Sequence, residues 1–96
     1  MTKLTNRIIN INNRRTSMRL CQKEWNALED ICKREKINRN LLIEQIENNK
    51  NQKLGLTYAT RLFLMLYYKN LAAKSFTTAL KAEPQNYFSD VIGELN

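Results

Sequence analysis

From Arg15 to Leu20 the chain alternates strictly, with Thr16, Met18 and Leu20 on one side and Arg15, Ser17 and Arg19 on the other. A period of two sends successive side chains to opposite faces, so a short strand is expected, with an apolar floor and a basic, polar outer row. Upstream, Arg7-Ile8-Ile9-Asn10-Ile11 is a second β-prone run, and Asn12-Asn13-Arg14 between the two is compatible with a turn. Two readings stand for that upstream run: the partner strand of a hairpin, or a flexible basic arm.

The period then changes. From Gln22 to Lys36, Trp25, Leu28, Ile31 and Cys32 recur at helical spacing while Lys23, Glu24, Asn26, Glu29, Asp30 and Arg34 fall elsewhere, which predicts a first helix. Ile37-Asn38 interrupts it, and Asn38 is a good N-cap for a second helix from about Arg39 to Asn48, with Leu42, Ile43 and Ile46 facing inward. Asn48 to Gly55 is polar and loop-like, and Thr57 is expected to cap a third helix through Leu71 or further. Its segment Leu62 to Tyr68 is apolar around nearly the whole circumference. One neighbour would not cover it, so a central core helix is expected, part of it lying in a subunit interface. After Lys74 the chain passes Pro84 and carries a weaker amphipathic pattern in Tyr87, Phe88, Val91, Ile92 and Leu95. Such a tail can dock on its own domain, bind a partner, or fray.

The organisation is therefore a basic arm or extra strand over residues 1–13, one domain over 14–74 and a C-terminal tail over 75–96. Two Gly and one Pro give little of the punctuation that many-stranded folds need, so the fold class is mostly α within α+β. A core this small only marginally offsets the entropy of folding, which makes help from a second copy an attractive solution.

Charge adds a partner class. The formal net charge is +7, and Lys3, Arg7, Arg14, Arg15, Arg19 and Lys23 fall within the first 23 residues without a single acid. Such a stretch attracts polyanions by counterion release, which points to DNA, RNA or an acidic membrane surface; solubility alone would account for a scattered charge. Cys21 and Cys32 lack metal-site spacing and no His is present, so no metal and no cofactor are expected. Without a Gly-rich phosphate loop or a set of paired carboxylates, an enzyme is the weakest reading. The chain starts without an apolar leader and its longest apolar run is too short to span a bilayer, so no membrane partner is expected and the cytoplasm, in association with the nucleoid, is the expected location.

The order strand, helix, helix resembles the ribbon-helix-helix family of DNA-binding proteins. Arg15-Thr-Ser-Met-Arg-Leu20 is similar to the family's usual strand, an Arg-apolar-polar-apolar-Arg-Leu pattern that leads into a helix through a Pro-acid pair. Together with Glu24-Trp25-Asn26-Ala27-Leu28, Asn40-Leu41-Leu42-Ile43 and Leu56-Thr57-Tyr58-Ala59-Thr60-Arg61, it looks like a bacterial subfamily with an appended third helix, over roughly residues 14–71. Cys21-Gln22-Lys23 departs from the pattern where an acid and a proline are usual, and Asn38-Arg39-Asn40 keeps a polar helix start without the usual Ser.

The resemblance implies a homodimer, with the potential for higher order on DNA, in which Arg15 to Leu20 pairs antiparallel with its copy as an intermolecular ribbon. Thr16, Met18, Leu20, Trp25, Leu28, Leu42 and Ile46 are then the dimer core. The outer row enters the major groove of double-stranded DNA, where arginine can donate two hydrogen bonds to guanine, making Arg15, Ser17 and Arg19 the candidate base readers. Asn38, Arg39 and Asn40 at the start of the second helix are candidate phosphate contacts, because its first amides lack partners and its dipole favours an anion. Arg14, Arg7 and Lys3 would add backbone contacts without sequence preference. Trp25 is expected to pack in the core, and Tyr58, Tyr67 and Tyr68 to pack between helices, rather than stack on nucleotides. The implied function is a transcriptional regulator, in the sense of a repressor. Two other classes compete: an antitoxin-like or similar interaction module whose tail over residues 75–96 binds a partner protein, and a structural adaptor whose basic face is neutralised by an acidic partner.

Overall fold

A computed structural model of the chain describes residues 3–78 and 87–95. Two strands come first, β1 (Leu4–Ile11) and β2 (Arg14–Cys21), followed by helices α1 (Gln22–Glu35), α2 (Arg39–Asn49), α3 (Leu56–Thr78) and α4 (Tyr87–Glu94). This is the α+β order expected, with a fourth helix added from the tail.

Asn12 and Asn13 join the strands with φ of 50° and 60°. A two-residue loop with both φ positive is the type I′ turn, whose twist matches that of paired strands, and asparagine tolerates the left-handed region better than most residues. The turn fixes an antiparallel register running from Ile11 opposite Arg14 to Leu4 opposite Cys21. Of the two readings of the upstream run, the structure takes the hairpin. β1 thus pairs with one edge of β2 within the chain, and among the described residues no strand lies on the other edge, where the expected intermolecular ribbon would pair a second copy. The hairpin forms locally because closing a two-residue loop costs little entropy, and β1 satisfies one edge of β2.

Alternation sorts the hairpin into two faces. Ile9, Ile11, Met18 and Leu20 are buried, while Asn6, Ile8, Asn10, Arg15, Ser17 and Arg19 are exposed. Under the inner face, α2 packs against β1, and α1 and α3 against β2. Trp25, Leu28, Ile31 and Cys32 of α1 join Leu42, Ile43 and Ile46 of α2 and Ala59, Phe63, Leu64 and Tyr67 of α3 in one apolar cluster. Six of the residues expected to form a dimer core, Met18, Leu20, Trp25, Leu28, Leu42 and Ile46, are already buried within a single chain, and Thr16 is half-buried. Cover comes from β1 and α3.

The third helix starts differently from expectation. The Ala59 N–H donates to the Gly55 carbonyl at 3.0 Å, so Gly55 stands at the cap and Thr57 lies inside the first turn. Glycine is well tolerated at that position, although it offers no side-chain acceptor to the first amides of the helix. Not all of the apolar circumference is covered, since Met65 and Tyr68 are 55% and 39% exposed. α4 docks on the chain's own domain: Val91 and Leu95 are buried, the Phe88 ring meets Phe63 edge-on at 6.0 Å, and the Asn51 N–H donates to the Leu95 carbonyl at 3.3 Å. The part of the tail around Pro84 lies outside the described residues. Among the described residues no helix is long and apolar enough to cross a membrane.

Candidate nucleic-acid interface

The outward face of the hairpin includes three consecutive cross-strand pairs: Asn10 opposite Arg15, Ile8 opposite Ser17 and Asn6 opposite Arg19. Directly opposite residues share a face, so all six side chains project from the same side, away from the helices. The three candidate base readers are therefore brought together on one exposed strand face. Among the described residues Arg15 and Arg19 have no ion-pair partner, whereas Arg14 pairs with Glu47 at 3.3 Å and Arg61 with Glu24 at 2.8 Å. Two uncompensated guanidiniums flanking a serine hydroxyl can meet an electronegative, hydrogen-bond-accepting surface.

The expected phosphate contacts are not gathered in the same way. Asn38 caps α2, its side-chain oxygen accepting the Leu41 N–H at 2.8 Å. Arg39 is half-buried with its guanidinium 5.5 Å from the centroid of the Trp25 ring, and Arg7 reaches the same ring at 5.3 Å. Arg7 belongs to the inner row, opposite Met18, and so is not part of a free arm. Asn40 is half-buried; its Oδ1 and the Arg39 Nε have no hydrogen-bond partner among the described residues. Arg14 lies beside the turn, held by Glu47, and Lys3 is exposed just before β1.

Trp25 is 1% exposed and its indole N–H donates to the Thr5 carbonyl at 2.9 Å, which makes it a core residue that pins β1 to α1. Tyr67 is also packed inside, donating its hydroxyl to Glu35. Burial, then the Glu35 carboxylate, push its phenol well above the ordinary range. Tyr68 leans on α1, its hydroxyl donating to the Ala27 carbonyl at 3.4 Å. Tyr58 differs from the expected helix packing, because most of its surface is exposed. Burial, then Glu29, push the buried Cys32 thiol up.

Two sets of residues escaped the reading of the sequence. Glu24 accepts the Cys21 N–H at 2.9 Å and closes the corner from β2 into α1 without the usual acid and proline. The signal was an acid three residues past the strand end, hidden because Cys21 stands where a capping Ser or Thr would have drawn notice. The outer row of β1, Asn6, Ile8 and Asn10, was not singled out. Taking Asn12-Asn13 as a type I′ turn would have fixed the register and placed that row opposite Arg15, Ser17 and Arg19.

A family model for the ribbon-helix-helix domain matches residues 4–68, from the first strand into α3, and so includes β1 in the domain. No curated protein and no solved structure matches the chain. With a match over more than half its length, and with a two-stranded antiparallel ribbon leading into two helices, the chain belongs to the ribbon-helix-helix family, whose domains are DNA-binding regulators that usually act as dimers.

Proposed function

We propose that the chain is a sequence-specific, double-stranded DNA-binding regulator that acts as a homodimer and lays its β-ribbon in the major groove. The observation that carries this reading is the exposed row Arg15, Ser17, Arg19, whose arginines lack ion-pair partners among the described residues, while Met18 between them and Leu20 after them are buried. The buried floor fixes the strand that carries the row, so the ordering left for binding is that of the exposed side chains. Arginine presents a forked donor pair that matches guanine O6 and N7, and serine can serve several base edges. Two copies would place two such faces on two halves of one operator, and larger assemblies on DNA would extend the same arrangement.

Phosphate contacts are assigned to the start of α2 and to the rim of the hairpin. Asn38 already satisfies the Leu41 amide, which leaves the amides of Arg39 and Asn40 for an anion, with the helix dipole favouring it. Arg14, Arg7 and Lys3 would add sequence-independent attraction. Reading the tail as a partner-binding, antitoxin-like segment gains nothing from α4, whose Val91 and Leu95 already pack in the chain's own core.

The test is selection from a pool of genomic DNA fragments by the full-length protein and by the Arg15→Ala, Arg19→Ala double variant. Both positions are exposed, so the variant should fold normally. The reading expects a few fragments to be enriched by the wild type and no enrichment by the variant. Equal enrichment by both would contradict it.

A further inference from the structure

We propose that the exposed face of α3 around Tyr58, Leu62 and Met65 is part of the dimer interface and packs on the same face of a second copy, beside the ribbon. The inference rests on the homodimer reading above and names an apolar surface that holds the two copies together.

The free edge of β2 offers a second copy backbone hydrogen bonds but little apolar area. Met18 and Leu20 of the strand are already buried within one chain, as are Trp25, Leu28, Leu42 and Ile46. Specific interfaces bury about 1,600 Å² in total, and those of homodimers are more apolar than the rest of the surface. Apolar contact therefore has to come from another surface next to that edge.

Such a surface lies on α3. Tyr58, Met65 and Tyr68 are three of the six large hydrophobic side chains left exposed among the described residues, and Leu62 stands between them on the same helix face. Spacings of three, four and seven residues align these positions, while Ala59, Phe63 and Tyr67 are buried on the other side. Single exposed hydrophobics are ordinary, but a contiguous group marks an interaction site.

The patch adjoins the ribbon. α2 packs against β1 and α3 against β2, so α3 lies towards the free edge of the hairpin. A chain of bonds ties the two: Arg61 Nε donates to Glu24 at 2.8 Å, and Glu24 accepts the Cys21 N–H at 2.9 Å where β2 ends. A copy paired on the edge thus comes alongside the patch.

The patch is also suited to meet itself. Tyr58, Arg61, Leu62 and Met65 line an open cavity of about 290 Å³, and the exposed side chains of Tyr58 and Met65 are able to fill such a hollow. Across a two-fold axis each copy presents both the hollow and the groups that enter it. Arg61, the charged residue of the lining, is already ion-paired with Glu24, so two patches meet without bringing unpaired guanidiniums together. The same pairing leaves the lining without a free cation, which a surface made for phosphates would carry.

The experiment measures the dimer dissociation constant of the full-length protein by sedimentation equilibrium. Wild type, Tyr58→Ala with Met65→Ala, and Met65→Asp are compared after a thermal melt confirms folding, with Ile8→Thr on the exposed face of β1 as control. Tyr58 and Met65 are both more than half exposed, so the fold should hold. The expected result is a constant raised about tenfold in the alanine variant and further in Met65→Asp, where two carboxylates meet across the axis, with no change in Ile8→Thr. On a selected DNA fragment, at protein concentrations below the dimer constant, the alanine variant should need about threefold more protein, the square root of a tenfold change in a two-monomer equilibrium, and keep the wild-type base preference. A wild-type dimer that the α3 substitutions leave unchanged overturns the proposal while the homodimer reading stands. An alanine variant that dimerises normally but loses base preference overturns it too, since the patch then serves DNA. A wild type that stays monomeric, alone and on DNA, overturns the homodimer reading and this interface with it.

Discussion

Arg61 reaches from α3 to the start of α1, where its Nε lies 2.8 Å from Glu24 Oε2, while Glu24 Oε1 accepts the Cys21 N–H at 2.9 Å. One carboxylate therefore fixes both the corner between the ribbon and α1 and the lie of the third helix. Desolvation by burial pushes the Glu24 carboxyl up, but the Cys21 amide and Arg61 outweigh it and hold it below its ordinary value. A group depressed in the folded state stabilises fully above its unfolded pKa, and that stability is lost as pH falls through the folded value. Glu24→Gln should flatten this acid limb in urea midpoints measured against pH, and Glu24→Ala should cost about 1–2 kcal/mol near neutrality. Arg61→Ala, removing only a half-exposed partner, should cost less than about 1 kcal/mol.

The turn gives a prediction of opposite sign. Asn13 sits at φ 60°, a conformation glycine adopts without a Cβ penalty. Asn13→Gly should leave stability unchanged or raise it by a few tenths of a kcal/mol, since Asn-Gly suits the type I′ turn, whereas Asn13→Val should lower it by about 1–2 kcal/mol. Chemical denaturation followed by circular dichroism checks both.

Tyr67 and Glu35 form a partly buried pair between α3 and α1. Tyr67→Phe keeps the ring and leaves the carboxylate without this donor, so a loss of about 1.5–3 kcal/mol is expected in the same assay. Tyr67→Ala should be worse, at about 3–5 kcal/mol, because it also opens a cavity beside Phe63.

Arg39 joins packing to the proposed DNA contact. With its guanidinium 5.5 Å from the Trp25 ring, Arg39→Ala should cost about 0.5–1 kcal/mol of stability and red-shift the Trp25 emission. If its end of α2 also meets a phosphate, the variant should reduce the salt slope of DNA binding by about one while leaving sequence preference intact.

The outer face of β2 was legible because Thr16 to Leu20 alternates without interruption, and α1 because Trp25, Leu28, Ile31 and Cys32 keep helical spacing over a polar background. β1 was harder to read, since adjacent Ile8 and Ile9 blur the period of two; only the register shows that Ile9 is buried and Ile8 is not. Arg7 looked like an arm residue because charge is read locally, whereas its position over Trp25 depends on a contact across 18 residues of chain. The cap of α3 falls on Gly55 rather than Thr57, and the burial of Met18, Leu20 and Trp25 within the chain comes from long-range cover by β1 and α3 that no local pattern encodes.

The central claim, that the exposed ribbon reads the major groove, is tested most directly by methylation interference on a fragment the protein selects. Methyl groups at guanine N7 lie in the major groove and those at adenine N3 in the minor groove. The account predicts that guanine N7 methylation at a few positions abolishes binding while adenine N3 methylation has little effect, and that the Arg15→Ala, Arg19→Ala variant shows no such guanine dependence. Interference at adenine N3 with silent guanines would place the protein in the other groove and contradict the account.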